Sequence, residues 1–272
     1  MISVVKNKLS VLRFAILGQF PELFHFSTTR VGGCSINNYS SLNLGFNSGD
    51  LHENVIGNRI RLCAALPISP DQLVFPKQTH TTTVKTITTG FFDMNKEAQK
   101  QFINETDAVI TNLQGVCVAV KTADCVPVLL FDSKRKVVAA IHAGWRGTVQ
   151  NIVFLTIQKM IKEFGIDPAD LIAGIGPSIS PEVYEVGEEV WKQFAPEFCK
   201  TTHPSKADKR LLDLWSANYH QLIKAGVPSG QIEVARICTY SNPDQFFSAR
   251  RDGLKTGRMA TGIMLRLAEK KS

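Results

Sequence analysis

Residues 127–142 read Pro127-Val128-Leu129-Leu130-Phe131-Asp132-Ser133-Lys134-Arg135-Lys136-Val137-Val138-Ala139-Ala140-Ile141-His142, two apolar runs around a short polar break. Neither run alternates apolar with polar, which is the pattern of a strand covered on both faces. Asp132-Ser133-Lys134-Arg135 predicts a tight turn that joins them as an antiparallel hairpin. Working outward, the pattern predicts further strands over 24–28, 72–75, 107–111, 116–121, 170–175 and 231–238. Helices are predicted over 50–66, 148–164, 187–194 and 213–225. Asp50 and Glu53 read as a capping box for the first, and Pro67 as its stop. In the second, Val153, Ile157, Met160, Ile161 and Phe164 share one face, and Gly165 follows its end. Strands and helices interleave irregularly, so the expected class is α+β with layered sheets rather than regular βαβ winding. With no internal repeat, low-complexity tract or linker, residues 1–272 are expected to form a single domain.

The composition excludes several classes. Of 272 residues, 44% are hydrophobic and 20% charged, too apolar for a disordered chain. No apolar run reaches the ~18 residues that cross a bilayer. The N-terminal stretch lacks an uninterrupted apolar segment and a small-residue cleavage site, so a cytoplasmic protein is expected, with no membrane partner. The net charge of +7 suits small anions or nucleic acid, but the basic residues are dispersed and no recognition motif accompanies them. Nucleic acid is therefore not an expected partner. Six cysteines without a CxxC pair point to reduced thiols. The oligomeric state is left open.

Reactive residues concentrate in Gln78-Thr79-His80, Ala123-Asp124-Cys125 and His142-Ala143-Gly144-Trp145-Arg146-Gly147. A hairpin centred on Ser133-Lys134 pairs positions that sum to 267, which sets Cys125 opposite His142 on one face. Cross-strand Cβ atoms there lie ~4.5–5.5 Å apart. A thiol and an imidazole so placed can ligate zinc, or the imidazole can activate the thiol as a nucleophile. They can also be a buried cysteine and a satisfied histidine. His80 offers a third ligand, and three protein ligands leave an open position, the pattern of a catalytic rather than a structural site. Closure by a fourth ligand would need Cys117, Cys238 or His25. After His142, a helix start near Thr148 with Arg146 beside it reads as an anion site. HExxH, GxSxG and the HxE…PCxxC pattern of zinc base deaminases are all missing, and six histidines cannot supply a blue-copper site plus a trinuclear cluster.

At these motifs the chain resembles the YfiH family, also called laccase-domain or polyphenol-oxidase-type proteins. The resemblance runs in order through Ser27-Thr28-Thr29-Arg30-Val31-Gly32-Gly33, Ser41-Leu42-Asn43-Leu44-Gly45, Gly49-Asp50, Asn58-Arg59 and Gln78-Thr79-His80. It continues in Ala123-Asp124-Cys125-Val126-Pro127, His142 to Gly147, Gly176-Pro177-Ser178-Ile179, Tyr184-Glu185-Val186-Gly187 and Arg250-Arg251-Asp252-Gly253. Thr79 stands where the family usually has an aliphatic residue.

The resemblance implies a four-layer αββα sandwich of the type shared with cytotoxic-necrotizing-factor-like cysteine hydrolases. It implies zinc bound by His80, Cys125 and His142, with copper as an alternative metal. The implied activity is purine nucleoside phosphorolysis of adenosine, inosine and methylthioadenosine, with adenosine deamination. Purine nucleoside and phosphate are then the small-molecule partners. Two other activities occur in the resemblance: a cysteine hydrolase that removes L-serine from a UDP-linked peptidoglycan precursor, and copper-dependent polyphenol oxidation. On the first reading Arg146 and Thr148 hold the attacking phosphate, and Asp124 transfers a proton or orients a ligand. Arg30, Asn43 and Arg59 are then candidates for substrate contact.

Overall fold

The computed structural model describes residues 1–7, 9–201 and 208–267. The Val126–Asp132 and Val137–Ala143 strands pair as the predicted hairpin at the centre of a six-stranded mixed sheet. Its order is Ile232–Val234, Leu171–Ile175, Val126–Asp132, Val137–Ala143, Ala108–Thr111 and Val84–Thr86. The outermost pair on each edge is parallel and the rest are antiparallel. A second six-stranded sheet runs Ile2–Lys6, Leu9–Arg13, Leu23–Thr28, Met259–Leu265, Cys117–Thr122 and Leu73–Val74.

The two-residue period of a strand sorts the hairpin's side chains between two cores. Leu129, Phe131, Val138 and Ala140 face inward and meet Val118, Val120, Ile263 and Leu265 of the second sheet. Val128, Leu130, Ala139 and Ile141 face the other way, against Ile157 and Met160 of the Ile152–Phe164 helix and Leu222 of the Leu214–Ala225 helix. On the far side of the second sheet, Phe26, Ala119 and Ala260 pack under Leu62 and Ala65 of the His52–Ala65 helix. The layers are therefore helix, sheet, sheet, helix, as expected. An unbroken apolar run is what a strand between two such layers requires, because a polar group on either face would be buried without water.

Some local expectations need correction. The hairpin pairs Pro127 with His142 and Asp132 with Val137, so partners sum to 269 and not 267. Lys136 belongs to the turn, with φ of 54°, and the Asp132 carboxylate accepts the Lys134 and Arg135 N–H groups. Asp50 does not cap the first helix, whose N-cap is Leu51; its carboxylate accepts instead from Ser35, Asn43, Asn54 and the Leu51 N–H. The helix predicted over 148–164 is two helices, Trp145–Val149 and Ile152–Phe164, divided at Asn151 with φ of 61°. Gln221 holds that break: its amide donates to the Thr148 carbonyl at 2.8 Å and accepts the Val153 N–H at 3.2 Å. The helix over 187–194 shortens to Glu188–Trp191, and the strand over 231–238 to Ile232–Val234.

Candidate active site

Cys125 lies where the chain passes from one sheet to the other, between the Cys117–Thr122 and Val126–Asp132 strands. The crossing is a sharp turn with Asp124 at φ of 88°. The Asp124 carboxylate accepts from the Thr239 hydroxyl at 2.6 Å, the Ser248 hydroxyl at 2.9 Å and the Arg250 N–H at 2.7 Å. These three bonds tie the turn to the segments around Thr239 and Ser248.

His142 sits on the Val137–Ala143 strand and is buried. The two-residue difference in register keeps parity: Cys125 is diagonal to His142 rather than opposite it, still on the same face. His80 arrives from the segment after the Leu73–Val74 strand, with φ of 63°, and is exposed. The ligand atoms of His80, Cys125 and His142 lie within 4.8 Å of one another. Cys125 Sγ is 3.8 Å from His80 Nε2, and the two imidazoles meet edge to face at 4.9 Å. Among the described residues this is the one such cluster, and Cys117, Cys238 and His25 are not in it.

Asp107, which the sequence reading passed over as the start of a strand, organises the cluster. Its Oδ1 lies 2.7 Å from His142 Nδ1 and accepts the His80 N–H at 3.1 Å. Its Oδ2 accepts the Thr79 and Thr81 N–H groups and the Thr81 hydroxyl. Five donors thus converge on one buried carboxylate. With Nδ1–H given to Asp107, His142 Nε2 is left to face Cys125 and His80. The signal for Asp107 is present in the sequence: a carboxylate directly before the apolar run Ala108-Val109-Ile110 must be paired when buried.

The electrostatics follow from this packing. Burial works to raise the Asp107 carboxyl, but the His142 hydrogen bond and charge hold it at about 2. Burial likewise opposes ionisation of Cys125, yet the charge of His142 and hydrogen bonds from both histidines bring the thiol down to about 6. His142 is lifted to about 9 against burial by the Cys125 thiolate and by Asp107. The donor set, one thiolate sulfur and two imidazole nitrogens with one side open, is suited to a borderline-soft divalent ion.

A cavity of about 870 Å³ opens on the cluster and is walled by Phe46, Phe75, Phe91, Arg59, Lys121 and Arg258. That is the size range of small-molecule sites. Gln78 anchors the wall, since its amide makes two hydrogen bonds, at 2.7 and 2.9 Å, with the backbone of Lys121.

Arg59 is the one predicted substrate contact that lines this cavity; its guanidinium donates to the Leu44 carbonyl and lies between the Phe46 and Phe75 rings. Asn43 is buried and bridges Gly45, Ser48, Asp50 and Arg258. Arg30 donates to the Ser40 and Pro243 carbonyls and covers the Phe247 ring. Thr148 is buried against Asn218, and the helix there begins at Trp145, not near Thr148. Arg146 is exposed, stacked 4.4 Å from the Trp145 ring, and is not part of the cavity wall.

Residues 24–266 match the family described as multi-copper polyphenol oxidoreductase laccase. A purine nucleoside phosphorylase of Bacteroides thetaiotaomicron is 45% identical over 97% of this chain and 99% of its own length. Adenosine deaminase RL5, from an unknown prokaryotic organism, is 38% identical over 88% of this chain and 92% of its own. The crystal structure of Bacillus licheniformis hypothetical protein YfiH superposes with a TM-score of 0.86 at 32% identity, covering 96% of this chain and 97% of that one.

Proposed function

The chain belongs to the YfiH family, the multi-copper polyphenol oxidoreductase laccases, and from that membership we propose a zinc-dependent purine nucleoside phosphorylase that also deaminates adenosine. Adenosine, inosine and methylthioadenosine are its proposed nucleosides. The observation that carries the reading is a three-donor cluster, open on one side, at a cavity of nucleoside size. Zinc, when bound by His80, Cys125 and His142, supplies a Lewis acid. One His/Cys/His cluster among the described residues suits this chemistry better than a multi-copper oxidation.

The chain's own residues do the rest. Asp107 fixes the ring and tautomer of His142 and, through three successive backbone N–H groups, the loop that carries His80. Asp124 aims Cys125 by clamping the turn before it, and takes this orienting role rather than proton transfer. The Phe46, Phe75 and Phe91 rings give the purine apolar walls. In phosphorolysis a phosphate oxygen bonds to C1′ as the glycosidic C–N bond breaks, and the base leaves with its bonding pair and a proton.

The test is a nucleoside panel with and without phosphate, with products identified. Free base plus ribose 1-phosphate is expected only with phosphate, and ammonia from adenosine in either case. Release of neither product from any nucleoside would refute the reading.

A second reading has one observation of its own: without a cation between them, Cys125 and His142 form a thiolate–imidazolium pair oriented by Asp107. That arrangement fits a cysteine hydrolase acting on an amide. Activity that survives stringent chelation, with a covalent adduct on Cys125, would select it.

A further inference from the structure

Arg59, Lys121 and Arg258 bring three basic side chains to one cavity wall, and among the described residues none of them forms a salt bridge with a carboxylate. Each donates only to backbone carbonyls: Arg59 to Leu44, Lys121 to Pro76 at 2.7 Å, Arg258 to Leu254, Thr256 and Gly257. A lysine has three N–H donors and an arginine five, so donors remain on all three. Arg59 and Lys121 share the Phe75 ring, at 4.6 and 5.0 Å from its centroid, which holds two like charges close together. Burial and Arg59 pull Lys121 down to about 7 against the charge of Asp107, and an anion bound beside it would favour its charged form. The carboxylates that reach the cavity, Asp71 and Glu97, are both exposed, and Glu97 pairs with Lys100. Asp107 acts on Lys121, and Cys125 and Asp124 on Arg258, only through space; partly buried cations with no carboxylate in contact are costly, and a bound anion would offset that cost.

We propose that Lys121, with Arg59 and Arg258, forms the subsite for the inorganic phosphate co-substrate, in place of the Arg146 and helix start suggested by the sequence. The inference rests on the phosphorolysis reading. A phosphate there enters the same cavity as the nucleoside, beside the His80–Cys125–His142 cluster, whereas Arg146 lies outside that wall. Lys121 thereby becomes a binding residue specific to the anion.

The decisive experiment compares wild type with Lys121→Met, Lys121→Arg and a distant control, Lys134→Met, all as the full metal-loaded chain. Lys121→Met should raise the phosphate KM by roughly tenfold or more, the loss of one charge-assisted contact, with the nucleoside KM changed less than about threefold. Lys121→Arg should recover most of that loss, and Lys134→Met should match wild type. Lys121→Gln, which keeps a donor for the Pro76 carbonyl, replaces the methionine variant if that one is unstable. Calorimetric titration with inorganic phosphate alone gives a readout independent of turnover. AMP alone tests whether a substrate-borne phosphoryl group uses the site instead. Phosphate binding weakened by Lys121→Met supports the subsite even if no nucleoside is cleaved, an outcome that would remove the phosphorolysis reading alone. An unchanged phosphate affinity and KM in Lys121→Met overturns the proposal, as does Lys121-dependent binding of AMP without binding of phosphate.

Discussion

Asp107 and His142 are joined twice: the carboxylate lies 2.7 Å from the ring Nδ1, and the Asp107 carbonyl accepts the His142 backbone N–H at 2.7 Å. Both oxygens of that carboxylate receive donors only. An amide in its place must turn an NH₂ group toward N–H groups on one side or the other. Asp107→Asn is therefore expected to lower metal affinity by about 10- to 100-fold. Competition with a chromogenic chelator measures it, and an affinity equal to wild type would show that the carboxylate does not orient the ligands.

Gly144 packs directly against the cluster. A Cβ there would sit 2.9 Å from His80 Cδ2 and 3.1 Å from Cys125 Sγ. Its backbone, at φ −72° and ψ 172°, accepts any residue, so Gly144→Ala tests crowding alone. The variant should fold with a near-native circular dichroism spectrum and retain less than one metal per chain after dialysis. Full occupancy would show that His80 moves aside without consequence.

Metal removal should expose a reactive thiol. In the stripped chain, alkylation of Cys125 by iodoacetamide is expected to rise with pH around a midpoint near 6, because the thiolate persists above the depressed value. Re-adding zinc should suppress it. Mass spectrometry of the modified peptide across pH decides the matter, and a midpoint near 9 would contradict the thiolate–imidazolium pair.

His25 predicts an acid-sensitive fold. It is fully buried, its Nε2 accepts the Phe14 N–H at 2.8 Å, and burial with the charge of Arg13 holds it down to about 3. An unfolded histidine titrates near 6.5, so below that pH the unfolded chain takes up a proton that the folded chain refuses. This contribution is whole above pH 6.5 and is lost as pH falls toward 3, with a slope of up to about 1.4 kcal/mol per pH unit. His25→Gln keeps an acceptor that does not titrate. Urea unfolding at pH 7 and pH 4.5 should show a smaller drop for the variant, and equal drops would refute the assignment.

The sheets were legible because strands between two covered faces leave unbroken apolar runs, as Val128–Phe131 and Val137–Ile141 do. The exact hairpin register was not, since nothing in Lys136 announces a positive φ. The break at Asn151 depends on Gln221, 70 positions away along the chain, and local periodicity cannot see it. The three clustered side chains were found from hairpin parity, sequence motifs and family resemblance together. The resemblance makes Asn43 and Arg30 candidates for substrate contact; in the fold Asn43 bonds to Gly45, Ser48 and Asp50, Arg30 donates to the Ser40 and Pro243 carbonyls, and neither lines the cavity. Lys121 draws no attention in the sequence, where it is one lysine after an apolar run, and only the assembled layers place it on the cavity wall.

The passage of the chain between sheets at Cys125 ties reactivity to alignment across the whole sandwich. The imidazole of His142 travels with one slab, while the sulfur is moored where both slabs meet. Sliding one slab past the other by a single residue would swing the thiol away and disarm the protein while leaving every helix intact. Selection for chemistry and selection for sheet alignment therefore act here on the same few atoms.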